Sequence, residues 1–365
     1  MSGGVDSSVA AALLKKEGCD VVGAHMKCFN VDGCAEQDVE DARRAAEVLD
    51  IPFYVFDFEK EYKEGVVEYM VDGYRKGITP NPDVMCNKEI KFGLFLKKAL
   101  AAGADFIATG HYVRRGFRIQ NLEFRKTKKS LNPKSYILYS ARDTNKDQSY
   151  FLWTLTQEQL RYCLFPIGEY TKPQVRKLAV KFGLPNADKK DSQGICFLGQ
   201  VRLGDFLSRY IKPKKGNIID TDGNILGQHN GAHFYTIGQR QGIMNNELRI
   251  KNKSNQKPFY VADKDIKNNV IVVAEGEDNP ALYRKQINLT EVNLLNKELG
   301  IKNKEFKIPI MARVRYRQPL VPATFIIHNS RFMIQFKKPV KFVAEGQSAV
   351  FYDFNGAILG GGIIK

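Results

Sequence analysis

The chain has 365 residues, of which 43% are hydrophobic, and it carries a formal net charge of +16 at pH 7. This length and apolar content exclude a disordered chain and predict two or three domains, each with its own core. Because no apolar run is long enough to span a bilayer and no signal peptide precedes the first motif, we expect a cytoplasmic protein with no membrane partner. The excess of lysine and arginine predicts a nucleic acid as partner. The basic residues recur in patches: Arg114-Arg115, residues 125–129, residues 212–215 and Arg313-Arg315-Arg317.

The first motif is a glycine- and serine-rich loop at residues 2–8, followed by helix-favouring residues up to Lys16. The backbone N–H groups of such a loop, together with the N-terminal end of the helix behind it, form a site for a phosphate or pyrophosphate. The loop lacks the Gly-Lys-Ser/Thr ending of kinase-type phosphate loops, so ordinary phosphoryl transfer is not expected. It resembles the PP-loop of ATP pyrophosphatases, which cleave ATP between the α and β phosphates. The alternative is a glycine-rich turn that only caps a helix.

Strand and helix patterns then alternate up to about residue 195. Strands are predicted at residues 21–26, 53–58 and 106–110, and helices at 38–49, 62–76 and 90–102. This order predicts an α/β fold with a doubly wound parallel sheet, in which ligands bind beyond the carboxyl ends of the strands. The loop at residues 2–8, Met26 and Gly110-His111 should therefore lie on one rim.

The pattern changes after about residue 198. A helix is predicted at residues 201–210, a hairpin turn at Asp222-Gly223 and a polar exposed loop at 245–257. Alternating strands follow at 308–316, 324–328, 332–336 and 348–354, with a hairpin turn at Asn355-Gly356. We therefore expect a catalytic domain at residues 1–197, a small central domain at 198–280 and a C-terminal β-barrel at 281–365.

The six cysteines do not suggest a structural framework. A chain of this size in a reducing compartment does not normally use structural disulfides. None of the cysteines forms a C-x-x-C pair and no histidine lies at zinc-ligand spacing, so no metal site is predicted from them. Each is either a small buried thiol or a reactive one. The six are Cys19, Cys28, Cys34, Cys86, Cys163 and Cys196.

Seven sequence blocks follow the loop in one order. They are GITPNPDVMCN (77–87), ATGHY (108–112), KDQSYFL (146–152), KDSQGICF (190–197), YTIGQR (235–240), RVRYRQ (313–318) and GQSAVFY (346–352). Together with the loop, this series closely resembles the tRNA-specific 2-thiouridylases, which replace the 2-oxygen of the wobble uridine with sulfur. The resemblance runs from Met1 to the glycines that precede the C-terminus.

The resemblance implies the nucleotide site and the thiols. Cys196 would carry a persulfide, Cys86 would be its partner thiol and form a disulfide with it during turnover, and Asp83 is a candidate acid/base. From the residues alone, Cys86 and Cys196 each follow turn-forming residues and are expected on loops. ATP is the implied cofactor, with Mg²⁺ to neutralise its phosphates. ATP phosphates would be held by Ser2, Gly3, Gly4, Val5, Asp6 and Ser7, and the adenosine bordered by Met26 and Gly110.

The resemblance also implies the RNA site. The target base would meet Asn81, Pro82 and Asp83, and the rest of the tRNA would contact His111, Lys146, Asp147, Gln148, Arg315, Tyr316 and Gln347. Alternatives remain open, because His111 could simply end a strand and Lys146 or Arg315 could be solvated surface charges. The aromatic run from Tyr150 to Trp153 is expected in the core rather than as a base-stacking platform. The family implies sulfur relay from a cysteine desulfurase or a sulfur-carrying protein, and we expect a monomer.

One departure from the family concerns the start of the sequence. In the family a central strand precedes the phosphate loop, whereas here only Met1 does, so a fold with its first strand missing and poor ATP binding is expected. Another PP-loop enzyme, such as an amide-forming ligase or a different thiolase, leaves the Cys86 and Cys196 blocks unexplained. A different class is a catalytically impaired or inactive tRNA-binding protein.

Overall fold

The computed structural model describes residues 1–29, 31, 33, 35–118, 135–191, 194–195, 197–199, 201–240, 257–295 and 305–365. Four features predicted from the sequence lie outside these ranges, wholly or in part. They are Cys34, Cys196, the basic run at residues 125–129 and the polar loop at 245–257, of which only Lys257 is described.

Parallel strands and helices form the N-terminal part, which confirms the predicted α/β class. Helix α1 (Val5–Lys16) begins directly after the glycines of the first motif. Strand β1 (Gly23–Lys27) leads through α2 (Ala35–Val48) to the parallel strand β2 (Phe53–Asp57). Strand β3 (Ile107–Ala108) pairs in parallel with β6 (Cys163–Leu164), so the parallel sheet consists of two strand pairs in the part of the chain that is described.

Two long helices each contain a π-helical segment. The first combines α3 (Glu59–Tyr62), the π segment Lys63–Val67 and α4 (Glu68–Arg75). The second combines α5 (Pro82–Met85), the π segment Cys86–Phe95 and α6 (Leu96–Ala101). The second helix therefore starts eight residues before the predicted start at residue 90, and Cys86 lies in a helix rather than on the expected loop.

Asn81 and Pro82 explain this difference. The Asn81 side chain accepts a hydrogen bond from the backbone N–H of Val84 at 3.2 Å, which is the contact that an N-cap makes. Pro82 occupies the first turn of the helix, where backbone N–H groups have no acceptor within the helix. The missing N–H of proline therefore costs no hydrogen bond. Residues that favour a turn are the same residues that favour a helix start, so the sequence pattern alone did not separate the two.

The antiparallel hairpin of β4 (Val113–Arg118) and β5 (Ser135–Ser140) and helices α7 (Gln157–Arg161) and α8 (Lys172–Lys181) complete this part. Helix α8 packs against α1. Tyr150 and Trp153 are buried, which confirms that the aromatic run belongs to the core.

The central part is a four-stranded sheet in the order β8-β7-β10-β9. It follows α9 (Leu203–Leu207), which is shorter than the predicted helix at 201–210, and comprises β7 (Gly216–Ile219), β8 (Ile225–His229), β9 (Phe259–Asp265) and β10 (Val270–Glu275). The predicted hairpin turn is confirmed, because β7 and β8 pair antiparallel and Gly223 adopts φ +90°.

The C-terminal part is a closed barrel, as predicted. Its strands are β11 (Tyr283–Leu294), β12 (Glu305–Arg313), β13 (Val321–His328), β14 (Arg331–Lys341), β15 (Ser348–Tyr352) and β16 (Ile358–Ile364). Phe325 and Phe351 stack in its core with ring centroids 4.6 Å apart. Within the described ranges, no helix combines the length and the apolar character needed to cross a membrane.

Candidate active site

Gly3 of the first motif and Gly110 are both required by close backbone contacts. Gly3 has φ +75°, and a Cβ there would lie 2.4 Å from the carbonyl oxygen of Asp38 in α2. On the other side, a Cβ on Gly110 would lie 2.6 Å from the backbone nitrogen of Ser7. The loop is therefore held between α2 and the segment after β3, which brings Gly110 to the loop as the sequence predicts. Met26 lies near the carboxyl end of β1 and is half-buried.

Hydroxyl groups fix the shape of this loop. Ser7 Oγ accepts a hydrogen bond from the backbone N–H of Ser2 at 3.0 Å and donates to the Gly4 carbonyl at 3.2 Å. Ser8 Oγ also donates to the Gly4 carbonyl, and it accepts from Asn186 Nδ2 at 3.0 Å. Asn186 additionally donates to the Gly3 carbonyl at 3.0 Å. Asn186 was not identified from the sequence, where it lies outside the seven blocks.

Asp6 is the charged residue of the loop. Its carboxylate accepts two hydrogen bonds from Lys172 Nζ, at 2.8 and 2.9 Å, and one from the Tyr112 hydroxyl at 2.8 Å. Burial and the charge of Asp6 both raise the pKa of Tyr112, so the phenol stays protonated and remains a donor. Lys172 is the first residue of α8 and is largely buried. Its ammonium group places a positive charge beside Asp6 of the loop.

A second carboxylate, Asp191, lies beside this pair. It accepts contacts from Lys146 Nζ at 2.6 Å, Lys172 Nζ at 2.7 Å and Arg176 Nη2 at 3.0 Å. Burial opposes ionisation of Asp191, but the hydrogen bonds from Lys146 and Lys172 outweigh it and lower the pKa of the carboxyl to about 2. Asp191 belongs to the KDSQGICF block, whereas no motif indicated that Lys172 and Arg176 would join it.

The helix from Pro82 carries the two catalytic candidates that are described. Asp83 is half-buried, and this burial raises the pKa of its carboxyl, while the positive charge of Lys91 opposes the shift. Cys86 is buried and packs in a hydrophobic cluster with Val66, Ile90 and Phe197. No disulfide joins two of the described cysteines. The pairing with Cys196 involves a residue outside the described ranges.

Three residues expected at the tRNA make contacts inside the protein. His111 is buried against the rings of Phe92 and Phe165, its Nδ1 lies 2.8 Å from Thr109 Oγ1, and burial lowers its pKa well below the usual value. The other two, Asp147 and Gln148, receive hydrogen bonds from backbone N–H groups: Ala141 N–H donates to Asp147 Oδ1 at 3.1 Å and Tyr112 N–H to Gln148 Oε1 at 2.9 Å.

The barrel residues expected at the tRNA contact three other segments of the chain. Gln347 Nε2 donates to the carbonyls of Thr79 and Pro80, at 3.0 and 3.3 Å. Arg315 donates to the carbonyl of Ile237 in the central part. The ring of Tyr316 packs on Phe151, with centroids 4.5 Å apart. The structure thus brings the barrel, the central part and the segment before Asn81 together.

Several arginines of the predicted basic patches are not solvated. Arg313 is buried and forms an ion pair with Asp147, whose Oδ2 lies 2.5 Å from Arg313 Nη2. Arg115 donates to the carbonyls of Leu160 and Cys163, at 3.0 and 2.6 Å. The charge pattern in the sequence therefore overstated the basic surface at these positions, because long cationic side chains also satisfy buried carbonyls and carboxylates.

Three family models match successive parts of the chain and define the class of protein. Residues 1–200 match the tRNA methyl transferase HUP domain, residues 204–275 the tRNA methyl transferase PRC-barrel domain and residues 284–364 the aminomethyltransferase beta-barrel domain. The chain is thus a three-part protein with a HUP domain, a PRC-barrel domain and a C-terminal β-barrel, in agreement with the observed sheet, central strands and closed barrel.

Relatives with matching full-length sequences give the particular family. The chain is 46% identical to tRNA-specific 2-thiouridylase MnmA 1 of Geobacillus kaustophilus, over 100% of this chain and 94% of that protein. It is 41% identical to the MnmA protein of Christiangramia forsetii and 42% identical to that of Idiomarina loihiensis, over 100% of this chain and 98% and 94% of those proteins. The chain belongs to the tRNA-specific 2-thiouridylase family.

Proposed function

We propose that this chain is a tRNA sulfurtransferase that converts the wobble uridine of tRNA to 2-thiouridine at the expense of ATP. The observation that carries this proposal is the 46% identity to a named 2-thiouridylase over the whole chain. The description of the matched HUP and PRC-barrel families mentions methyl transfer. The full-length relatives and the two cysteine-bearing blocks favour thiolation instead.

The first motif is the proposed ATP site. Its backbone N–H groups, the positive end of α1 and Lys172 supply the donors and the charge that bind phosphates. Mg²⁺ commonly uses one or two carboxylates together with substrate phosphates and water, and Asp6 is the carboxylate of this loop. The donor set therefore fits the ion, which would neutralise phosphate charge there. The sheet rim with Met26 and Gly110 is the proposed adenosine border.

The chemistry explains why ATP and sulfur are both required. A uridine carbonyl is a poor electrophile because oxide is a poor leaving group. Attack of the 2-oxygen on the α phosphorus releases pyrophosphate and leaves AMP attached to that oxygen. The terminal sulfur of a persulfide on Cys196 then attacks C2, and AMP departs. Attack of the Cys86 thiolate on Cys196 Sγ breaks the S–S bond, leaves the sulfur on the base and forms a disulfide, which an external dithiol reduces.

Hydrophobic contacts support the pairing of the two cysteines. Ile195 and Phe197, the neighbours of Cys196 in the chain, both pack in the cluster that contains Cys86. The ring of Phe197 contacts Tyr62 edge-on, with centroids 5.8 Å apart. These contacts bring Ile195 and Phe197 to the helix of Cys86, which supports the approach of two thiols that disulfide exchange needs.

Asp83 is the proposed group that transfers a proton to or from the target uridine. The uridine is proposed to meet Asn81 and Pro82. Burial raises the pKa of the Asp83 carboxyl, which is the direction that brings an acid/base closer to neutral pH. The proposed tRNA contacts are the remaining family positions: His111, Lys146, Asp147, Gln148, Arg315, Tyr316 and Gln347.

A cysteine desulfurase or a sulfur-carrying protein is the proposed sulfur donor. We also propose a monomeric, cytoplasmic enzyme with domains at residues 1–197, 198–280 and 281–365.

The test is 2-thiouridine formation by the whole chain. Unmodified tRNA is incubated with ATP, Mg²⁺ and a cysteine desulfurase with cysteine as the source of persulfide sulfur, and the digested nucleosides are analysed by mass spectrometry. We expect thiolated uridine that is lost without ATP and in Cys196→Ser, and retained in Cys19→Ser, where the exposed thiol is outside the site. A parallel reaction with S-adenosylmethionine tests methyl transfer. Tight tRNA binding without product from a folded chain would contradict the proposal and favour the inactive RNA-binding alternative, which no observation favours now.

A further inference from the structure

Asp191 has no role in the reaction proposed above, although three cations surround it. The carboxylate contacts Lys146 Nζ at 2.6 Å, Lys172 Nζ at 2.7 Å and Arg176 Nη2 at 3.0 Å. Arg176 also donates to the carbonyls of Ala187 and Lys189, at 2.9 and 3.0 Å. Arg176 is therefore held by backbone carbonyls and fixes the position of the Asp191 carboxylate. The ammonium groups of the two lysines can instead leave Asp191 and pair with another anion.

The two lysines belong to different proposed substrate sites. Lys172 contacts Asp6 of the phosphate loop at 2.8 Å, and its side chain is only 11% exposed. Lys146 is 30% exposed and belongs to the proposed tRNA contacts. One carboxylate thus pairs at the same time with a cation of the nucleotide side and a cation of the RNA side.

We propose that Asp191 is a shared counterion that couples the two substrates, so that ATP and tRNA each weaken the binding of the other. This inference rests on the proposed function. When an RNA phosphate takes Lys146, Asp191 keeps its charge and holds Lys172 more strongly, which makes Lys172 less available to nucleotide phosphates. When ATP takes Lys172, Asp191 holds Lys146 more strongly in the same way. The coupling is reciprocal by thermodynamic necessity.

If Asp191 is a shared counterion, removing its carboxylate should strengthen ligand binding. Removing a purely structural ion pair should not. Replacing Asp191 by asparagine releases both lysines and removes a negative charge close to two polyanionic ligands. Each ligand alone should then bind more tightly, by about fivefold, and the mutual weakening should decrease to near unity. A residue that only held the fold together would weaken binding or leave it unchanged.

Lys189 offers a matched control. It pairs with Asp38 and Asp41, at 2.7 and 2.5 Å, beside the same loop. Neither carboxylate is paired with Lys146 or Lys172 in the part of the chain that the structure describes. Asp41→Asn therefore removes a carboxylate of comparable burial without touching the proposed coupling.

The experiment is calorimetric titration of the full chain with a non-hydrolysable ATP analogue and with unmodified tRNA, each alone and each in the presence of the other. For Asp191→Asn we expect tighter binding of both and a coupling factor near one, and for Asp41→Asn the wild-type values. An unchanged coupling factor, or weaker binding of both ligands by folded Asp191→Asn, would overturn the inference. Failure of the wild-type chain to bind either ligand would instead overturn the proposed function.

A second variant keeps the inference testable if Asp191→Asn does not fold. Lys146→Gln leaves Asp191 with one lysine less, so Lys172 should be held more strongly and the ATP analogue should bind about fivefold more weakly, without any tRNA present. Lys190→Gln makes the same charge change at an exposed neighbour of Asp191. Equal ATP affinities of these two variants would contradict a shared counterion.

Discussion

Asp147 and Arg313 form an ion pair that joins the N-terminal domain to the C-terminal barrel, and both side chains are less than a tenth exposed. Asp147 also accepts a hydrogen bond from Ser149 Oγ at 3.0 Å, and the Arg313 guanidinium lies over the ring of Tyr352. A residue that the family resemblance assigns to tRNA thus makes an interdomain contact. The contact joins strand β12 of the barrel to the segment that follows β5.

We predict that removing one partner of this pair is strongly destabilising. Arg313→Met leaves a buried carboxylate without its cation and should lower the free energy of unfolding by about 3–5 kcal/mol. The double variant Asp147→Asn/Arg313→Met should lose much less than the sum of the single variants, because neither charge then remains alone. Denaturant unfolding of all four proteins measures this.

The exposed pair of Arg202 and Asp205 is the control for that prediction. Its atoms also approach to 2.8 Å, but the side chains are 85% and 57% exposed. Arg202→Met should change stability by less than about 1 kcal/mol. Additive losses in the Asp147 and Arg313 cycle would show that the pair is not coupled as the structure indicates.

Gln347 is predicted to position the segment before Asn81. Gln347→Met keeps the side-chain length but removes the donor to the carbonyls of Thr79 and Pro80, so it should cost about 1 kcal/mol of stability and lower kcat for thiolation more than it raises KM for tRNA. Gln318→Met removes a similar bond, to the Lys341 carbonyl, within the barrel. Equal kcat losses in both variants would count against a positioning role.

Gly110 is predicted to be essential for the phosphate loop. The Cβ of Gly110→Ala would meet backbone atoms of Asp6 and Ser7 at 2.7 and 2.6 Å, so the loop must shift, at a cost of about 1–3 kcal/mol and with loss of ATP binding. At Gly204, in helix α9, no described atom lies within 4 Å of a new Cβ. Gly204→Ala should therefore keep ATP affinity and gain up to about 1 kcal/mol. Unchanged ATP affinity in Gly110→Ala would refute the packing argument.

The ionised carboxylate of Asp83 is predicted to lower the free energy of unfolding at pH values above its pKa. Its raised pKa means that the folded state disfavours the ionised form, so the penalty is absent below the usual value of 3.8, grows as the pH rises through the folded pKa and is complete above it. Asp83→Asn should therefore be more stable than wild type at pH 8, and the gain should shrink as the pH falls towards 4. A tenfold change in the protonation equilibrium of the carboxyl corresponds to about 1.4 kcal/mol.

Unfolding curves between pH 4 and 8 measure the Asp83 effect. Asp188→Asn, at an exposed position, reports the consequence of losing a solvated carboxylate. The same Asp83→Asn variant should lose thiolation activity if this carboxyl is the acid/base. A variant that is less stable than wild type at pH 8 would show that burial does not penalise the ionised carboxyl.

Sequence patterns were reliable where the signal is local. Period-two alternation and the Asn355-Gly356 turn predicted the barrel, and alternating strands and helices predicted the α/β domain. The prediction that Cys86 lies on a loop was wrong, because Asn81 and Pro82 favour a turn and a helix start equally. The assignment of Arg313 to a basic patch was also wrong, since the sequence does not show that Arg313 has a buried carboxylate partner in Asp147.

The sequence by itself determined the family, the order of elements and the phosphate loop, because motifs, periodicity and turn residues act over a few neighbouring positions. Only the tertiary structure decided which charges meet. Asp6 and Lys172 are 166 positions apart, as are Asp147 and Arg313, and Gln347 reaches Thr79 across 268 positions. Such contacts depend on how helices and sheets pack, and a buried ion pair has no local signature, because the partner that compensates its desolvation comes from a distant part of the chain.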